Sequence, residues 1–129
     1  MIAASLAAMA SLKASPYPKQ AISQPSPAPV VSKIVIVADN AAFTGKCPHK
    51  FKFTATIYYT GSGKLEYKWL RSDGGHQLHN PTIQLNGGGK ETVTYEWTIG
   101  KNFQGWVSLE TVTPTPVKSN NANFQLTCN

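Results

Sequence analysis

Charged side chains are scarce in this chain, and arginine is almost absent. Only 14% of the 129 residues are charged and six are acidic, whereas ordinary domains carry about 25% charged residues. The net charge of +6 permits anionic partners, but the lysines are scattered and Arg71 is the single arginine. Because bidentate contacts to phosphate and guanine favour arginine, we expect no specific nucleic-acid partner.

The signatures of common hydrolases are also missing. The chain contains no Gly-x-Ser-x-Gly elbow and no carboxylate pair suited to glycoside hydrolysis. Ser72, Asp73 and His76 lie close together, but in a glycine-rich turn, where Ser and Asp are favoured for local backbone hydrogen bonds. A catalytic triad needs a base that is oriented by a buried carboxylate. We therefore expect a protein that is not an enzyme and has no catalytic residues or cofactor.

Metal-ligand motifs are weak. His76 and His79 form a His-x-x-His pair, to which Asp73 and His49 could add ligands. No compact set of four ligands follows at the spacing that zinc sites use. We expect solvated loop histidines and no metal, and in a binding protein His76 and His79 would lie in a loop available to a partner.

No apolar run is long enough to span a bilayer, so we expect no transmembrane segment. Residues 2–12 have the length of the hydrophobic region of an export signal, although no basic segment precedes them. We predict an export signal at 1–14, whose start is truncated or lies upstream, a proline-rich tether at 15–32 and a folded domain at 33–129. A secreted or cell-surface location is favoured, and a frayed helix on an intracellular protein is the alternative.

Cysteine occurs only twice, as Cys47 and Cys128, near the two ends of the folded domain. A redox site would place its thiols close in sequence, and a zinc site would add ligands at short spacing. An isolated pair in an exported protein is typical of a structural disulfide. We predict that these two cysteines are bonded.

What the chain does have, from residue 33 onward, is alternation of apolar and polar residues with regular turn signals and no convincing helix. In "FKFTATIYY", for example, Phe51 and Phe53 share one face while Lys52 and Thr54 share the other. The pattern predicts seven strands, at 33–38, 51–59, 65–71, 82–85, 92–99, 105–112 and 122–128. We expect an all-β protein, a seven-stranded immunoglobulin-like antiparallel β-sandwich with one disulfide.

Several short motifs strengthen this interpretation. They are a Cys-Pro before a long alternating strand, "YKW" at 67–69, "SDGG" at 72–75, "GWVSLE" at 105–110 and "LTC" at 126–128. Together they resemble the small secreted bacterial immunoglobulin-like β-sandwich domains over residues 33–129. The resemblance implies a fold rather than an activity, because sandwiches of this type serve adhesion, glycan binding, inhibition and spacing.

The three tryptophans divide into two groups. Alternation places Trp69 and Trp97 in the core, whereas Trp106 faces away from it. Tyr58 and Leu70 are also predicted to face outward, so with Trp106 they could form an exposed patch for a partner. Packing of Trp106 against a neighbouring strand or the tether is the alternative.

We therefore expect an exported, non-catalytic binding or surface-display module that recognises an extracellular glycan or protein. Trp106, Tyr58, Leu70, His76 and His79 are the candidate binding residues. A structural spacer would have no exposed aromatic cluster. A secreted inhibitor would present a protruding, rigid set of loops instead.

Overall fold

The computed structural model describes residues 28–129 and contains no helix in that range, so the all-β prediction is confirmed. Its eight strands are β1 (Val30–Ala38), β2 (Ala42–Gly45), β3 (His49–Thr60), β4 (Gly63–Arg71), β5 (Thr82–Leu85), β6 (Gly88–Ile99), β7 (Phe103–Thr113) and β8 (Ala122–Cys128). Between residues 28 and 129 there is no helix long and apolar enough to cross a membrane. The predicted export signal and most of the predicted tether lie outside the described residues.

The strands form two sheets. One has three strands in the order β1-β3-β6, and the other has five in the order β2-β8-β7-β4-β5. The prediction of seven strands, all antiparallel, is wrong by one element, because β2 also forms and pairs in parallel with β8. β2 has four residues, of which only Phe43 packs on the core, so alternation alone did not reveal it.

The alternation of apolar and polar residues explains which side chains of the longer strands are buried. On β3, Phe51, Phe53, Ala55 and Ile57 are all buried, while the residues between them are half-buried or exposed. On β4, Leu65, Tyr67 and Trp69 are buried in the same way. Burying a large apolar side chain contributes about 1.5–3 kcal/mol relative to leaving it exposed, and a shift by one residue would turn every such side chain to solvent. The pattern therefore determines which face of each strand meets the core.

Aromatic rings join the two sheets. The Phe124 ring of β8 lies 4.7 Å from Phe51 and 5.2 Å from Phe53, both on β3, and 5.4 Å from Trp97 on β6. Edge-to-face and tilted pairs at such distances add to the stabilisation from burial alone. Trp69 and Trp97 are both buried, as predicted. The core is thus a single cluster of side chains from both sheets.

The predicted disulfide is confirmed. Cys47, which lies between β2 and β3, is bonded to Cys128 at the end of β8, and their Cα atoms are 5.6 Å apart. The neighbouring backbone supports this connection, because Gly45 pairs with Cys128 and the Asn129 N–H donates a 2.9 Å hydrogen bond to the Gly45 carbonyl. The bond therefore ties the segment that enters β3 to the end of β8.

Candidate functional site

Trp106 lies on the outer face of the five-stranded sheet. Its neighbour Val107 is fully buried in the core, whereas Trp106 points the other way and remains half-buried. Its backbone is held from the β4 side: the Ser72 N–H donates to the Trp106 carbonyl (3.0 Å), and the Trp106 N–H donates to Ser72 Oγ (3.1 Å). Ser72 thus fixes the position of Trp106 through the backbone.

A shallow, open groove of about 460 Å³, which we call the amide groove, lies on one side of Trp106. Its lining includes Ala42, Gln104, Gly105, Trp106, Asn123 and Gln125. The strand register builds it, because Gln104 on β7 pairs with Gln125 on β8 and Trp106 pairs with Asn123. None of its eight lining residues has an ionisable side chain.

A second groove of about 510 Å³, the loop groove, lies on the other side of Trp106. It runs between the outer face of β4 and the loop at 72–81, and its lining includes Lys68, Leu70, Gly75, His76, Asn80 and Trp106. Lys68 also forms an ion pair with Glu110 across the sheet, with Nζ 3.7 Å from Oε1. Trp106 is therefore the wall that the two grooves share.

Arg71 and Asp73 shape the loop that borders this groove. Arg71 donates from Nε and Nη2 to the two carboxylate oxygens of Asp73, at 3.0 and 2.6 Å, and Asp73 Oδ1 accepts the Gly75 N–H at 2.8 Å. The guanidinium lowers the pKa of the Asp73 carboxyl below its ordinary value and the same contact raises the pKa of Arg71. This side-chain network fixes the turn after β4 rather than leaving either charge free for chemistry.

The structure brings together some of the predicted binding residues and separates others. Leu70, His76 and Trp106 all line the loop groove, and His79 is exposed in the same loop without lining it. Tyr58 is half-buried on the outer face of the other sheet, where Lys33 Nζ lies 4.9 Å from its ring centre. The predicted patch of Trp106, Tyr58 and Leu70 therefore does not form, because β3 and β7 belong to different sheets and their outer faces point in opposite directions.

The amide side chains of the first groove were not predicted from the sequence. Gln104, Asn123 and Gln125 occupy outward positions that alternation alone marks only as polar. Their common location depends on the register of β7 against β8 and on β2 lying beside β8. The outward apolar residues Trp106 and Leu70 were the signals that pointed to this face.

Ser72 and Asp73, in the turn after β4, are engaged in local hydrogen bonds. Ser72 Oγ accepts a backbone N–H, and Asp73 binds Arg71. Residues 28–129 contain no group of three or more His, Cys, Asp or Glu side chains that could hold a metal ion. The arrangement around Trp106 is suited to holding a ligand by packing and hydrogen bonds.

Two sheets around a shared core, closed by one disulfide, define an all-β protein of the sandwich-like class. No protein-family model matches the chain, and no curated protein sequence matches it significantly. Among solved structures it is similar to the Pseudomonas fluorescens alkylpurine DNA glycosylase AlkC bound to DNA with an abasic site analog. That likeness has a TM-score of 0.52 and 15% identity, and covers 74% of this chain but 30% of the glycosylase.

The chain is also similar to the CARDB domain of a Pyrococcus furiosus protein in complex with di-metal ions. Here the TM-score is 0.55 at 11% identity, with 78% of this chain and 96% of the domain covered. At these identities the two likenesses concern the fold alone. The chain spans less than a third of the glycosylase and nearly the whole CARDB domain.

Proposed function

We propose that this protein is an exported, non-catalytic binding module with an immunoglobulin-like fold, and that its ligand lies across Trp106 on the outer face of the five-stranded sheet. The observation that carries the proposal is that two grooves share this one indole ring. A ligand that lies over Trp106 would contact both grooves at once. Rigid aromatic side chains are frequent anchors of binding sites because they present a large contact area at low entropic cost.

The immunoglobulin-like assignment is supported by the strand arrangement. A three-stranded sheet β1-β3-β6 faces a five-stranded sheet that contains β8, β7 and β4 as neighbours. Trp69 of β4 is buried in the core, as the tryptophan of strand C is in immunoglobulin domains. The similarity to a CARDB domain over nearly its whole length agrees with this class.

Export is supported by the disulfide. A bond between Cys47 and Cys128 persists in an oxidising compartment and is uncommon in the cytosol. The apolar stretch at 2–12 has the length of the hydrophobic part of a signal peptide. Both features agree with a protein that acts outside the cytoplasm.

The ligands named with the two similar structures belong to those proteins. The described part of this chain holds no cluster of metal-ligating side chains. Its single arginine, Arg71, is bound to Asp73 and Tyr95, so it is not free for the bidentate phosphate contacts that DNA-binding surfaces favour. We therefore propose neither DNA nor metal ions as ligands of this protein.

A second candidate is a secreted inhibitor that acts through its loops. Leu78 favours it, because this side chain is 90% exposed in the loop at 72–81. Apolar side chains at exposed loop positions are suited to insertion into a pocket of a partner protein. A pure spacer would use neither Trp106 nor Leu78.

The proposal is tested by binding of the full, fluorescently labelled chain to the extracellular envelope fraction of the cells that produce it. We expect Trp106→Ala to weaken binding at least about tenfold, equivalent to about 1.4 kcal/mol. Tyr58→Ala is the matched control, because it removes a half-buried aromatic ring from the outer face of the other sheet. Equal binding by Trp106→Ala and the wild-type chain would refute the proposal. A loss of about tenfold in Leu78→Ser instead would favour the inhibitor.

A further inference from the structure

We infer that the ligand of the Trp106 site is a neutral polysaccharide chain, with one sugar ring stacked on the indole. This inference rests on the proposed function, since it names the chemical class of ligand for the same site. Four properties of the two grooves support it: the hydrogen-bonding character of their side chains, the indole ring between them, the pairing of their charges, and the location of exposed apolar residues.

The amide groove offers donors and acceptors side by side. Gln104, Asn123 and Gln125 each carry an amide with two N–H donors and one carbonyl acceptor. A sugar hydroxyl also donates and accepts, so neighbouring hydroxyls of one sugar can be matched by such amides without any charge. Asn123 lies opposite Trp106, and Gln125 lies opposite Gln104 two residues further along the strands, so all three amides share the outer face with the indole ring.

The indole supplies the apolar part of the site. One face of a pyranose ring exposes mainly C–H groups, and a flat, amphipathic aromatic side chain packs well against such a surface. Gly105 precedes Trp106 and lines the same groove without a side chain of its own. A ring stacked on Trp106 would therefore keep its hydroxyls within reach of the amides.

The amide groove carries no charge, and the charges of Lys68 and Arg71 in the loop groove are paired. The amide groove has no ionisable side chain, so a charged ligand group placed there would lose hydration without gaining a partner. In the loop groove, Lys68 pairs with Glu110 and Arg71 pairs with Asp73. Lys118 is the exception, because its Nζ lies over the Trp106 ring, 5.9 Å from the ring centre; it therefore provides a sensitive test of whether ligand charge matters.

A protein partner would need a more apolar surface. The fully buried core of a protein interface is depleted in charge and rich in apolar and aromatic side chains. Among the described residues the exposed large apolar side chains are Val30, Val35, Val37 and Leu78. None of these four lines either groove. The outward-facing Trp106 ring is thus flanked by the amides of Gln104, Asn123 and Gln125 on one side and by Gln77 and Asn80 on the other, which suits a sugar better than a protein.

The test is affinity gel electrophoresis of the full chain in native gels that contain one soluble polysaccharide each. The neutral probes are a β-1,3-glucan, a hydroxyethylated β-1,4-glucan, a xylan, a mannan and glycol chitin, and the acidic probes are polygalacturonate and dextran sulfate. We expect retardation by at least one neutral probe. Trp106→Ala should lower that affinity at least about tenfold, and the Gln104→Ala/Gln125→Ala double variant about threefold or more.

Three controls separate this ligand class from the others. Leu78→Ser should bind the neutral probe as the wild-type chain does, and Lys118→Gln, which removes the charge over the Trp106 ring, should not weaken that binding. The affinity should change by less than about twofold between 50 and about 500 mM salt, because screening acts on charged ligands. Trp106→Ala must still unfold cooperatively in urea, and Trp106→Phe, which retains a ring for stacking, should recover part of the binding.

Two results would overturn the inference. Retardation by the acidic probes alone, lost with salt and in Lys118→Gln, would mean that the ligand is anionic. If no neutral probe is bound while the envelope fraction still binds in a Trp106-dependent way, the ligand is not a neutral polysaccharide but the proposed function stands. If binding to the envelope is also independent of Trp106, both proposals fail.

Discussion

The guanidinium of Arg71 lies over the core tryptophan Trp97, with its Cζ atom 4.1 Å from the centre of the indole ring. Arg71 belongs to β4 of the five-stranded sheet and Trp97 to β6 of the three-stranded sheet. The same guanidinium donates a 3.1 Å hydrogen bond to the Tyr95 hydroxyl, also on β6. One half-buried side chain therefore connects the two sheets and, through Asp73, the turn that borders the loop groove.

Arg71→Lys should destabilise the protein although it keeps the charge. A lysine ammonium cannot stack on Trp97 as a planar group or bind both Asp73 oxygens. We expect the free energy of unfolding to fall by about 1–2 kcal/mol, since cation–π contacts contribute about 0.5–2 kcal/mol. Urea unfolding followed by tryptophan fluorescence measures this. The reverse exchange at an exposed position of the same strand, Lys64→Arg, should leave the stability unchanged, and equal values for the two variants would contradict the role of Arg71.

Asp73 should make the stability depend on pH in the acid range. Its folded-state pKa is lowered, first by the hydrogen bonds from Arg71 and then by the Gly75 N–H, so the unfolded chain binds this proton more tightly than the folded chain. Its contribution is therefore complete above the unfolded pKa of about 4 and is lost as the pH falls through the lower folded value.

Urea unfolding from pH ~6 down to pH ~2 measures this dependence. Asp73→Asn should lose less stability on acidification than the wild-type chain. Asp39→Asn removes the same charge at the turn after β1 and serves as the control. An Asp73→Asn curve parallel to that of the wild-type chain would refute the expectation.

The strands and the turn after Arg71 could be predicted from the local sequence pattern. The pairing of the strands into sheets and the contacts between the sheets could not. Strands 82–85 and 122–128 agree with β5 and β8 because alternation and turn residues mark their ends. The contact of Arg71 with Trp97 joins residues of different sheets, so it depends on how the sheets pack. Tyr58 was correctly placed outward, yet the sheet to which its strand belongs follows from topology rather than from alternation.

The disulfide should supply a large share of the stability. Cys47 and Cys128 are separated by 81 residues, and closing so long a loop restrains the unfolded chain by about 4.5 kcal/mol in the loop-entropy model. We expect the Cys47→Ser/Cys128→Ser variant to lose about 3–4.5 kcal/mol of unfolding free energy. Urea unfolding measures the loss, and the wild-type chain with a reductant should match the variant. An unchanged unfolding midpoint in both would contradict this expectation.

Two buried serines near the candidate site should respond in opposite ways to the same substitution. Ser108 is fully buried beside Trp106 on β7, and its hydroxyl has no hydrogen-bond partner within residues 28–129. The Ser119 hydroxyl, in contrast, accepts the Leu109 N–H at 2.9 Å and donates to the Asn120 carbonyl at 2.7 Å. An unpaired buried hydroxyl costs free energy, whereas removal of a paired one leaves its partners unsatisfied.

Ser108→Ala should therefore be neutral or stabilise the protein by up to about 1 kcal/mol, and Ser119→Ala should destabilise it by about 1–3 kcal/mol. Urea unfolding of both variants under the same conditions gives the comparison. Because each change removes one oxygen atom from a buried site, the difference between them isolates the hydrogen bonds. A loss in Ser108→Ala as large as that in Ser119→Ala would mean that the Ser108 hydroxyl is paired in solution.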